Sequence, residues 1–112
     1  MGEIKDRKFK RIESLNLVSF THFDEQMNPD YEGAARTLDI SENGILLEFF
    51  RDFPDGTFLD MEIALHDTII NVKGKIVRCT KQEKEEKYNI GIQFTEISNE
   101  NRELINNFFS SE

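Results

Sequence analysis

With 112 residues, the chain has room for one domain and one modest core. A net charge of −8 at neutral pH argues against general nucleic-acid binding, which depends on neutralising many phosphates. No apolar run approaches the length of a membrane span, and 38% hydrophobic with 32% charged residues fits a soluble globular protein in which ten Phe and no Trp predict a Phe-filled core.

Residues 1–13 form a charged arm punctuated by Ile4, Phe9 and Ile12. Residues 1–11 hold Lys5, Arg7, Lys8, Lys10 and Arg11 against Glu3 and Asp6, a net +3, which leaves −11 for the rest of the chain. A short basic arm on an acidic body points to a small anionic ligand; a solvated tail attracted to that body is the plainer alternative. The opening MGEIKDRKFKR lacks the apolar segment of a secretory signal, so a cytoplasmic location is expected.

Residues 15–22 read as a first strand, rich in β-branched and aromatic residues, followed by a loop with Asn28-Pro29-Asp30 as its turn. Residues 31–40 form the second strand, where Gly33 predicts a bulge or bend, and residues 45–50 the third. Phe53-Pro54-Asp55-Gly56 is a turn, and residues 57–65 alternate as a fourth strand up to a short His66-Asp67 connection. The fifth strand, 68–80, is β-branched and expected to bend at Gly74. Cys79 within it is the only cysteine, so no internal disulfide forms, and a small packed residue is expected there. Residues 81–87, KQEKEEK, read as a solvated hairpin tip and 88–97 as the last strand. Ser98 caps a short helix in which Leu104, Ile105, Phe108 and Phe109 recur at helical spacing, to cover one open end of the sheet. Six short strands followed by one helix predict an all-β-dominated fold, a small six-stranded antiparallel β-barrel with a C-terminal α-helix.

The chain is organised around Thr37–Glu48, TLDISENGILLE. Asn43-Gly44 is a strong turn dipeptide, since both residues tolerate positive φ. Asp39 supplies an acceptor-only carboxylate, Ser41 a hydroxyl that donates and accepts, and Gly44 the room for a ligand or another backbone to come close. Two readings fit: a ligand-binding turn, or a structural turn whose Asp39 and Ser41 bond nearby backbone N–H groups.

The order and spacing of these features resemble the PilZ domain, a bacterial receptor module for cyclic di-GMP. Arg7-Lys8-Phe9-Lys10-Arg11 resembles the family's R-x-x-x-R arm, and Asp39-Ile40-Ser41-Glu42-Asn43-Gly44 its D-x-S-x-x-G turn. The Asp55-Gly56 turn, Gly74-Lys75-Ile76-Val77-Arg78 and Tyr88-Asn89-Ile90-Gly91-Ile92-Gln93-Phe94 are similar as well. The resemblance spans about residues 5–109 and implies a PilZ-like split barrel over 14–112 with a ligand-binding arm over 1–13. It implies cyclic di-GMP as ligand, held by Arg7, Lys8, Arg11, Asp39, Ser41 and Gly44, with no cofactor. The arm would order itself on binding, and the new surface would meet a downstream partner protein, in motility or biofilm regulation.

The residue chemistry suits that ligand. Guanidinium forks onto a phosphate or onto O6 and N7 of guanine, and its face stacks on a base. Asp39 matches the N1–H and 2-amino donors of guanine, with Ser41 beside it. Asp6 stands directly before the first arginine of the arm, where some relatives carry a base and bind two stacked nucleotides; a carboxylate there favours one nucleotide per chain. Arg36 either reaches the ligand or pairs with a nearby acid. A competing expectation is a PilZ-like adaptor that works without nucleotide. A single-stranded nucleic-acid binder would need aromatics among basic residues along a groove, which the acidic body disfavours. An enzyme is not expected: His22 and His66 are the only histidines, both read as surface or partly packed, and no nucleophile-elbow sequence joins Asp39 and Ser41 into a triad.

Overall fold

The computed structural model describes residues 17–65 and 68–110. They form six strands, β1 (Leu17–Phe23), β2 (Pro29–Ile40), β3 (Gly44–Phe49), β4 (Phe58–Leu65), β5 (Thr68–Lys81) and β6 (Tyr88–Glu96), and then a helix, α1 (Asn99–Ser110). Every neighbouring pair is antiparallel, in the order β1-β2-β3-β6-β5-β4, and β4 returns to β1 to close a barrel. Closure gives every strand a neighbour on both sides, although Pro29–Ala35 of β2 pair only with β1 and Arg78–Lys81 of β5 only with β6.

Period-two alternation decides what goes inside. In β1, Val18, Phe20 and His22 point inward; in β4, Leu59, Met61, Ile63 and Leu65 do so. Ile45, Leu47, Ile70, Val72, Ile76, Ile90 and Ile92 complete the barrel interior, and α1 adds Ile105 and Phe108. The expected Phe-filled core is therefore mainly aliphatic. Among the described residues buried phenylalanine is confined to Phe20, Phe49, Phe53 and Phe108, of which the first three gather with Tyr31 in one cluster, with Phe20 edge-on to Phe49 and Phe53 (5.2 Å and 5.9 Å between centroids).

Four irregularities shape the walls. Asp30 is an extra residue in β2 opposite the His22/Phe23 step, Leu38 is another between Thr37 and Asp39, Val77 stands between Ile76 and Arg78 in β5, and Thr95 is unpaired opposite the Lys73/Gly74 step. Such bulges increase local twist and bend, which a small barrel needs. Gly33 pairs with Phe20 in unbroken register, and the bulges of β2 fall on either side of it, at Asp30 and Leu38. Gly74 faces inward, where a Cβ would collide with the Ile92 side chain.

His22 departs from the sequence reading. It is buried, with Nδ1 2.7 Å from an Asp30 carboxylate oxygen and Nε2 2.8 Å from the Thr57 hydroxyl. The alternation of β1 forces its ring inside, where two polar partners and the Phe53 ring at 4.4 Å receive it. The charged tip after β5 is exposed as expected except at Gln82, which is half-buried and donates to both Glu48 and Asn89, at 2.8 Å each. Ser98 caps α1 as its sequence indicates, its hydroxyl accepting the Asn101 N–H at 3.0 Å. The Phe109 side chain and the His66-Asp67 connection lie outside the described residues, and no helix among the described residues is long and apolar enough to cross a membrane.

Candidate functional site

The β2–β3 turn is held by its own polar groups. Ser41 N–H donates to Gly44 O at 2.9 Å, Asn43 N–H to the Ser41 hydroxyl at 3.2 Å, and Ile40 N–H to an Asp39 carboxylate oxygen at 2.9 Å. These local bonds leave chemistry unspent. The second Asp39 oxygen has no partner among the described residues, and the Ser41 hydroxyl keeps its proton to donate. Both side chains are exposed. Left-handed φ among the described residues occurs at Met27 (64°) and Gly56 (89°) and not at Asn43 or Gly44. Glycine is required at 44 for another reason: a Cβ there would collide with the Ile92 carbonyl of β6. Phe94 N–H, donating to Asn43 O at 2.9 Å, fixes the same seam.

Asp39, Ser41 and Gly44 converge on one open groove of about 480 Å³, walled on its far side by Val77 and Arg78 of β5 and by Gly91, Ile92 and Gln93 of β6. Arg78 and Gln93 carry the only long polar side chains of that wall, and sequence reasoning did not assign them to the site. The signal was the Gly74–Arg78 stretch, but the face that Arg78 presents depends on the Val77 bulge. Without the extra residue, strict alternation from buried Ile76 would put Arg78 inside; with it, Val77 and Arg78 are both exposed, and Arg78 lies opposite Gly91, whose missing side chain leaves the groove open.

The remaining expectations fall elsewhere. Arg7, Lys8 and Arg11 lie outside the described residues, as does His66. Arg36 pairs with Glu48 at 3.3 Å across β2 and β3. The Gln82 amide, joined by Lys87 and Arg36, holds the Glu48 carboxyl below the usual carboxylate range although burial opposes them. Cys79 is half-buried against the core, and burial pushes its thiol up, so it is a packed residue and a poor nucleophile. His22 pairs with Tyr31, eight residues before Asp39 on β2, a separation of roughly 26 Å at the usual strand rise. It therefore makes no triad with Ser41. Thr57, His22 and Asp30 do form a hydrogen-bonded row, but the Thr57 hydroxyl gives its proton to the Pro54 carbonyl at 2.6 Å. Nε2–H must then donate to Thr57, so the row braces the fold and activates nothing. Among the described residues no cluster of His, Cys, Asp and Glu could hold a metal ion.

Comparison with known proteins supplies the family. The model of the PilZ domain matches residues 5–111. Among solved structures, the Bacillus subtilis inhibitor of motility, MotI/DgrA, resembles the chain with a TM-score of 0.66 and 17% identity, over 87% of this chain and 47% of that protein. At that identity the likeness bears on the fold alone, and this chain spans about half the length of its neighbour. No curated protein matches the sequence.

Proposed function

Because the chain belongs to the PilZ domain family, we propose that it is a cyclic di-GMP receptor that closes its arginine arm over the nucleotide and signals through a partner protein. The observation that carries this reading is the convergence of Asp39, Ser41 and Gly44 with Arg78 and Gln93 on one open groove. Asp39 offers an unspent carboxylate oxygen to a guanine edge and Ser41 a proton to an adjacent acceptor. Gln93 adds an amide that both donates and accepts. Arg78 brings a planar cation to stack on a base or fork onto a phosphate.

Charge explains why the arm is needed. Among the described lining residues, Asp39 offsets Arg78, so the groove brings no net cation to a ligand with two phosphates. Arg7, Lys8 and Arg11 supply it. The chain enters β1 at Leu17, opposite Arg36 and three residues before Asp39 on β2, about 10 Å away along the strand. Arg11 precedes Leu17 by six residues, which extend to roughly 20 Å, enough to return to the groove. Nothing in this chemistry cleaves a bond: the groove holds a carboxylate, a hydroxyl, an amide and a guanidinium but no histidine, so the reading is of a receptor and not an enzyme.

Calorimetric titration of the full chain with cyclic di-GMP, with GTP and cyclic di-AMP as controls, tests it. Saturable and selective binding that is lost in Asp39→Ala and weakened at least tenfold in Arg7→Ala and in Arg11→Ala is expected. A folded chain that binds none of the three would overturn the receptor reading and leave a nucleotide-independent adaptor.

A further inference from the structure

The turn that carries Asp39, Ser41 and Gly44 has a second side. Glu42 does not line the groove. Its carbonyl accepts from Arg102 Nη1 at 3.2 Å, and its carboxylate accepts from Asn106 Nδ2 at 3.3 Å. Arg102 and Asn106 stand four residues apart in α1, on one face of the helix. Ile105 and Phe108, on the adjoining face, are buried in the core. The helix therefore docks through an apolar face, bonds β5 through Asn101, and clasps a single residue of the turn through a polar pair.

The clasp acts on the backbone that sets the site. Glu42 sits between Ser41, whose hydroxyl faces the groove, and Asn43, whose carbonyl is bonded to β6. With Asn43 O fixed by β6 and Glu42 O fixed by Arg102, the peptide planes on both sides of Asn43 are held. A rotation of either plane would have to break the Arg102 bond or the Phe94 bond, and it would displace the Asn43 N–H that holds the Ser41 hydroxyl. Helix and groove thus share one short, rigid segment.

We propose that Arg102 and Asn106 are positioning residues, and that α1 is coupled through Glu42 to occupancy of the groove. The nucleotide, by fixing Asp39 and Ser41, holds the turn in the form that the helix clasps. By linkage the helix favours the nucleotide by the same factor. This rests on the cyclic di-GMP reading and gives it an output element, since the state of the groove becomes the state of a helix on the outside of the barrel.

The test pairs calorimetry with hydrogen exchange on the full chain, using cyclic di-GMP as the probe. Arg102→Ala is expected to weaken nucleotide binding about fivefold, the lower end of common couplings, and Asn106→Ala somewhat less. Arg102→Lys, which can still donate, should recover part of the loss. In the native protein, saturating nucleotide should slow exchange of the α1 amides, and in Arg102→Ala it should not. Asn101→Ala is the control. It removes the Asn101 amide bond to the Asn71 carbonyl at 3.4 Å without touching the turn, so it should loosen the helix and leave affinity unchanged. Wild-type binding with unchanged affinity in folded Arg102→Ala and Asn106→Ala would overturn the coupling alone. So would equal losses in Asn101→Ala, or α1 exchange indifferent to nucleotide. If the wild type binds no cyclic di-GMP, the receptor reading falls and takes this inference with it.

Discussion

Thr37 and His22 show opposite treatments of a buried polar side chain. Thr37 is 1% exposed, and its hydroxyl has no hydrogen-bond partner among the described residues. Valine has the same shape without the unpaired group, so Thr37→Val should stabilise the fold by about 1 kcal/mol, near 4 °C in melting temperature for a domain of this size. Thermal denaturation checks it. His22 is satisfied on both nitrogens, and His22→Leu would strand Asp30 and Thr57. A loss of about 2–3 kcal/mol is expected, with cyclic di-GMP affinity unchanged because the cluster lies at the other end of β2. An affinity change in a folded His22→Leu protein would contradict that separation. Legibility at this scale follows the same physics. Asp39, Ser41 and Gly44 were visible because their spacing in sequence is their spacing in the turn. Burial of His22 follows from the phase of β1, which Val18 and Phe20 already set. Its partners are 8 and 35 residues away, and no local pattern reveals contacts of that kind.

At the scale of elements, strands and helix were legible nearly to the residue, because alternation, turn residues and the Ser98 cap agree with one another. The bulges at Asp30, Leu38, Val77 and Thr95 were not, since an extra residue in a strand looks like any other until its partner strand is known. That is why Arg78 escaped assignment. Two predictions belong here. Ser98→Ala removes the hydroxyl that accepts the Asn101 N–H and should cost about 1 kcal/mol, read as a fall of about 4 °C in melting temperature. The junction of β2, β3 and the β5–β6 tip gives a pH dependence. The folded state lowers the Glu48 pKa below 4.5, so the folded state favours the ionised form. Its contribution is complete at pH values well above 4.5 and is lost as pH falls through the lower, folded value. Glu48→Gln should therefore melt below the wild type at pH 7, with the gap closing on acidification toward pH 3. A gap independent of pH would show that Glu48 acts through packing and not charge.

For the whole molecule, the distribution of charge matters more than its total. Residues 1–11 carry +3 and the remaining chain −11. A ligand with two phosphates placed between them would bind through the arm, so affinity should fall as salt rises, and less steeply in Arg7→Ala. Titration at several salt concentrations checks both. With Asp6 before the first arginine, saturation at one nucleotide per chain is expected, and two per chain would contradict the argument from that carboxylate.

The closed ring of strands limits how such a receptor meets another protein. Strand addition, in which an extended peptide pairs with a free sheet edge through main-chain hydrogen bonds, needs an edge to receive it. Among the described strands such an edge is confined to Pro29–Ala35 of β2, which pair only with β1, and Arg78–Lys81 of β5, which pair only with β6. Elsewhere on the barrel recognition would pass through side chains, so a partner there would read the identity of surface residues and not merely the availability of backbone.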